Sequence, residues 1–188
     1  MINPLVISEI KTVESPLAEL SKSFETLPDR ELNKSLGENN MGIIPRSGGS
    51  WSGEPGNSTW NPDREIEPKN RNYSNVEGKK WDTILKENGI DGIHFNGGEP
   101  DFSEVSRGTV EINEFTDERY GIGGNFDQAD EKLAEQRGCT KQEVQDWRRE
   151  NNYTWHERCD CRTMDKVPRE IHGNISHSGG ISKVKNQM

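Results

Sequence analysis

Apolar residues are sparse along this chain, and their spacing changes several times. In "SPLAELSKSFETL", Leu17, Leu20 and Phe24 form a stripe at helical spacing, which predicts a short amphipathic helix. "LGENNMGIIPRSGGS" then reads as a linker. Residues 51–75, rich in Gly, Pro and Asn, predict loops with few regular elements. Trp81, Ile84 and Leu85 mark a short helix that ends at "NG". "GIHF" predicts a short strand, and "GTVEINEF" alternates through Val110 and Ile112 as a half-buried strand does.

Two stronger helices follow. "FDQADEKLAEQRG" predicts a helix from about Asp127 that stops at Gly138, a residue suited to a left-handed C-cap. Thr140 and Glu143 have capping-box spacing, so a second helix opens there, with Val144 and Trp147 on its inner face. Next, "YTWHE" is β-rich, "RCDCR" is a turn and "TMDKV" is a second strand. Pro168 holds the preceding residue extended and suits the first position of a helix, "PREIH", which Gly173-Asn174 breaks. The result is a hairpin followed by a helix, and the fold class is α+β.

Composition narrows this picture. Only 28% of the 188 residues are hydrophobic, against roughly 45–50% for a typical domain by a count that includes Gly. The core is therefore small, and no apolar run approaches the roughly 20 residues of a membrane span. The N-terminus lacks the basic and continuous apolar regions of a signal peptide. Three cysteines, Cys139, Cys159 and Cys161, make an incomplete disulfide framework. Of the net charge of −9, residues 1–139 carry −11, while Thr140–Met188 hold nine Lys/Arg against seven Asp/Glu. That local excess suits either a phosphate footprint or an ordinary solvated surface.

The candidate chemistry lies in the last segment. His156, His172 and His177 are three of the four histidines and fall within 22 residues, beside Glu157, Asp160, Cys159 and Cys161. In an unbroken helix the five-residue offset would put His177 about 140° from His172. The break at Gly173-Asn174 relieves this, so the spacing permits a two-histidine clamp without requiring it. Imidazole and carboxylate suit a divalent metal, and a histidine can take a proton at neutral pH. Arg158, Arg162, Lys166 and Arg169 flank the cluster as candidate phosphate grips, and each is equally a solvated charge. Asp160 reads as a turn residue, Asp101 as a turn or cap residue, His94 as structural, and Trp60 and Trp81 as core.

"TWHE…D…TM…VP…IHGNISHSGG" resembles the colicin-DNase-like branch of the HNH/endonuclease VII superfamily, the "WHH/WHE" toxin nucleases of bacterial polymorphic toxins. "GEPGNSTW", "GGEPDFSEVSRGTVEI" and "NFDQADEKLAEQRG" are similar to the region before that motif. The resemblance covers roughly residues 53–183. It implies a small ββα-metal (HNH) core at about 152–180 with a loop-rich N-terminal extension carrying short strands and helices. Residues 1–50 are then a linker or the tail of a delivery region, and residues 51–188 the nuclease domain. It also implies a divalent metal (Mg, Mn, Zn or Ni) and sequence-nonspecific cleavage of DNA in rival cells. Such a toxin is secreted as part of a larger protein, acts in the target cytoplasm and is restrained by a cognate immunity protein, for which the acidic segment offers one docking surface.

Glu157 stands where the WHH relatives carry a second histidine. The expected roles are His156 as general base, His172 and His177 as metal ligands, and Glu157 orienting the base or joining the metal shell. In the alternative, His156 is a ligand and Glu157 the base. Two further functions remain open. One is the same scaffold cutting RNA. The other is a binding module with a structural zinc on Cys159, Cys161, His172 and His177.

Overall fold

The computed structural model describes residues 42–185, and the helix expected around Leu17–Phe24 lies outside them. Antiparallel strands β1 (Gly49–Trp51), β2 (Thr59–Pro62), β3 (Ile93–Asn96) and β4 (Glu99–Asp101) form one four-stranded sheet in chain order. Strands β5 (Thr109–Glu111), β6 (Tyr153–Glu157) and β7 (Thr163–Pro168) form a second sheet, with β7 in the middle. The architecture is α+β, as expected.

Helix α1 (Trp81–Asn88) ends at Gly89 in the left-handed conformation, and α2 (Asn125–Arg137) ends the same way at Gly138. Both positions have positive φ, which a residue without Cβ adopts at no steric cost. Helix α3 (Lys141–Glu150) opens on the Thr140–Glu143 capping box. The one-turn helix α4 (Arg169–His172) follows β7 directly, with Pro168 as its N-cap rather than its first residue. Helix α5 (Gly180–Lys185) closes the described chain.

Residues 51–75 are mostly loop with few regular elements, as expected, and the strands β1 and β2 form around the indoles of Trp51 and Trp60, whose ring centroids are 5.3 Å apart. The apolar signal there is two isolated aromatics among Gly, Asn and Pro, too thin for a period to show. Residues 43–50 also pack onto this body: Ile44 leans on the core and Ser178 Oγ accepts from Ile43 N at 2.8 Å.

The β5-β7-β6 sheet separates two apolar cores. Val110, Met164 and Trp155 pack against α2 and α3. Val167, Ile171 and Ile175 pack with Phe102, Trp60, Trp81 and α1. Because successive strand residues point to opposite faces, this division decides where each candidate site residue goes.

Candidate metal centre

Strand β6 carries the sequence "YTWHE". Trp155 and Glu157 face α2, so His156 faces the other side, where Phe102 and α4 lie. Cross-strand register places His156 opposite Asp165 and Trp155 opposite Lys166. His172 arrives on the last residue of α4, four residues after Pro168. The chain then leaves the helix and curls back, which brings His177 to the same place. The donor atoms of His156, His172 and His177 all lie within 4.8 Å of one another. His156 Nδ1 is 3.3 Å from His172 Nε2.

Phe102 is the floor of this cluster. Its ring centroid is 4.9 Å from that of His156 and 5.7 Å from those of His172 and His177. Burial drives the ordinary imidazole pKa down at all three positions, well down for His156 and His172, and neighbouring histidines add to the effect on those two. The rings are thereby kept neutral, the form that donates a lone pair to a metal. His177 Nδ1 lies 2.7 Å from the Ile175 carbonyl and is the donor of that bond, which leaves Nε2 with its lone pair. His156 Nε2 is buried with no hydrogen-bond partner, and Glu99 Oε1 is 4.0 Å away. Glu99 is anchored by accepting from Cys159 N at 2.6 Å.

Glu157 does not join the imidazoles. It is buried on the opposite face, where Arg119 donates to Oε2 and Asn125 Nδ2 donates to Oε1 at 3.0 Å. The flanking cations divide in the same way. Arg158 binds the buried Asp165, and Arg162 pairs with Glu111 at the surface. Arg169 Nη2 donates to the Tyr153 carbonyl.

Lys166, expected among the phosphate grips, is corrected by its position. It is 1% exposed, on the face opposite His156, with its ammonium 4.0 Å from the centroid of the Trp147 ring. A strand residue that shares a face with Trp155 cannot reach the histidine side. Asp160 accepts from Arg162 N, Thr163 N and Thr163 Oγ1, so it builds the hairpin turn. Asp101 accepts from Ser103 N in a turn of its own. The thiols of Cys159 and Cys161 face the carbonyls of Ser178 and Gly180, and burial pushes Cys159 up to about 11. Neither cysteine belongs to the ligand cluster.

Sequence reading passed over Glu99, Phe102, Arg119 and Asn125 as site residues. Glu99 and Phe102 sit in "GGEPDF", whose Gly-Gly and Pro conceal a strand of three residues. Arg119 lies in a stretch with no periodicity, and its role depends on a contact 38 residues away in sequence.

No described helix is long and apolar enough to cross a membrane. No curated protein matches the chain. Residues 92–179, which contain β3 to β7, α2 to α4 and all three clustered histidines, match the model of the DNase/tRNase domain of colicin-like bacteriocins. That match supports a colicin-DNase-like nuclease toxin domain across this segment.

Proposed function

We propose that this protein is a metal-dependent endonuclease of the HNH type that hydrolyses the phosphodiester bonds of DNA, with His156, His172 and His177 as the metal ligands. The convergence of three neutral imidazoles on a hairpin and its following helix carries this reading. The donor set fits the group: imidazole suits Mn, Zn and Ni, and the donor atoms of the three rings lie within 4.8 Å of one another. A metal held there supplies Lewis acidity to a phosphoryl oxygen and charge neutralisation at the leaving oxygen.

The protein's own residues prepare the site. Phe102 fixes the spacing of the rings and keeps water from beneath them. The Ile175 carbonyl sets the tautomer of His177. Glu157 holds Arg119 and Asn125, and so ties the loop before α2 to the strand that carries His156. This reading makes His156 a ligand instead of the base expected from sequence. It gives Glu157 a positioning role, because both of its oxygens are already taken.

In this reading the protein is a toxin, delivered as part of a larger protein into a rival cell and blocked in its producer by an immunity protein. The test is incubation of the purified protein with supercoiled plasmid in the presence of Mg²⁺, Mn²⁺, Zn²⁺ or Ni²⁺, and with chelator. Loss of the supercoiled form with at least one metal and its persistence in chelator is expected. Equal cleavage in chelator overturns the metal-dependent reading, and cleavage of RNA but not plasmid overturns the choice of substrate.

A further inference from the structure

We infer that a groove running from His177 to the segment Lys69–Arg71 is the path of the substrate strand beyond the scissile bond, gripping its phosphates with Arg46, Lys69 and Arg71. This rests on the nuclease reading and adds to it a binding surface built by residues that precede the segment matched by the family model.

The groove encloses about 360 Å³, within the usual range of ligand pockets. His177, itself part of the histidine cluster, lines the groove, so a strand lying in it comes to that cluster directly. Trp60 and Trp81 are among the lining residues, and so are Lys69 and Arg71. Arg46 lies between two more lining residues, Pro45 and Ser47. In a chain of net charge −9, no carboxylate is among the described residues that line this groove, and Glu67 alone lies, as Arg46 does, between two lining residues, Ile66 and Pro68. The other described cavities all hold acidic groups: Glu77, Glu87, Glu150 and Glu170 in one, Asp91, Asp101 and Glu104 in another, Asp127 and Asp130 in a third.

The state of the cations points the same way. Arg46, Lys69 and Arg71 are exposed, and among the described residues none of them has an ion pair. By contrast, Arg158 and Arg162, closer in sequence to the histidines, are already paired with Asp165 and Glu111. A cation with no internal carboxylate gives up only water and counterions when it meets a phosphate, whereas a paired one must first break its pair. Three such cations beside a groove that has a candidate metal ligand and no carboxylate among its described lining residues form the electrostatic footprint of a phosphodiester backbone.

The test measures binding of the full chain, in chelator, to a fluorescent DNA duplex by anisotropy over a series of salt concentrations. The R46Q/K69Q/R71Q variant is compared with R158Q/R162Q and with wild type, and each variant is also titrated with Ni²⁺ by calorimetry. The triple variant is expected to bind at least about tenfold more weakly at moderate salt, with a log–log salt slope shallower by about 3, one per lost phosphate contact. Its metal affinity should match wild type. An R71K single variant, which keeps the charge, should bind within about threefold of wild type, so an effect of refolding is separable from an effect of charge. Wild-type binding with an unchanged slope in the triple variant, or a larger loss in R158Q/R162Q, overturns the proposed path while leaving the nuclease reading intact. A wild type that neither binds nor cleaves duplex removes the DNA-nuclease reading, and the path with it.

Discussion

Arg119 donates from both Nε and Nη2 to a single oxygen of Glu157, at 2.9 and 2.6 Å. The pair joins a loop residue to the strand that carries His156, and Asn125 at the start of α2 completes it from the other oxygen. The same device recurs twice in the fold. Arg148 grips the buried Asp130, which also accepts from Trp155 Nε1, and Arg158 grips the buried Asp165. Each buried carboxylate has one guanidinium, which is what burial of a charge requires.

The Arg119–Glu157 pair yields a prediction that separates support from catalysis. Arg119→Ala leaves the 3% exposed carboxylate with only Asn125. Loss of hydrogen bonds to a charged group costs about 1.5–3 kcal/mol. The Arg119 side chain is 42% exposed and therefore partly screened, which places the expected loss near the lower end. Glu157→Gln should lose a smaller part of that stability, bind metal as wild type does and cleave DNA within about tenfold of wild type. Urea unfolding and plasmid cleavage measure the two effects. A Glu157→Gln variant that is inactive yet fully stable and metal-loaded would give Glu157 a direct part in the chemistry.

Lys166 gives a prediction about pH. Burial, reinforced by Arg137, lowers its pKa from 10.5 to about 8. Between those two values the unfolded chain binds more protons than the folded one, so stability rises with pH from about 8 to about 10.5. Below pH 8 the folded state must hold a buried cation, which costs stability despite the Trp147 ring. Lys166→Met should therefore raise the unfolding midpoint at pH 7 and remove this residue's share of the rise between pH 8 and 10.5. It should leave duplex affinity unchanged, because the side chain faces away from the histidines. Weaker duplex binding in Lys166→Met would restore the phosphate-gripping role that its position denies it.

Most of the second half of the fold is legible in the sequence, for local reasons. The capping box at Thr140–Glu143, the left-handed Gly138 and the extended-then-helical geometry around Pro168 each act within four residues. The β1-β2 hairpin and the strand at Glu99 are not legible, because single aromatics and a proline carry them and their pairing partners lie elsewhere in the chain. The histidine cluster is half legible. Spacing allows His172 and His177 to meet, but only register with β7 shows that His156 turns toward them while Glu157 and Lys166 turn away. Clustering along the chain supplied the residues, the resemblance their expected roles, and strand alternation their sides.

Phe102 should matter to metal binding although it offers no donor. Its ring touches all three imidazoles and is 1% exposed. Phe102→Leu keeps the site apolar at a cost of about 1.5 kcal/mol or less, yet it removes the flat floor that sets the angle of each ring. Outer-shell partners of metal ligands are worth about 10–100-fold in affinity, and a fall of that order is expected by calorimetry with Ni²⁺ or Zn²⁺. Unchanged affinity would reduce Phe102 to a core residue.

The ligand set itself is tested by comparing single histidine variants. If His156 is a ligand, His156→Ala should weaken metal binding as severely as His172→Ala and His177→Ala, beyond the about 10–100-fold of an outer-shell loss. If His156 is instead the base, His156→Ala should leave metal affinity intact and lower the cleavage rate by about 10²–10⁴-fold. The geometry favours the first outcome. His156 Nδ1 stands 3.3 Å from His172 Nε2, a spacing that two ligands of one ion can share. Two metal-bound nitrogens, each about 2.0–2.1 Å from zinc in a tetrahedral arrangement, sit about 3.3–3.4 Å apart. A base needs room for a water and a phosphate beside its free nitrogen, and the other nitrogen of His156 is buried, 4.0 Å from Glu99 Oε1. Calorimetric titration of the three alanine variants against wild type decides the matter, with circular dichroism confirming that each remains folded. Wild-type metal affinity in His156→Ala, together with loss of cleavage, would return that residue to the role of base and leave His172 and His177 as the protein's ligands.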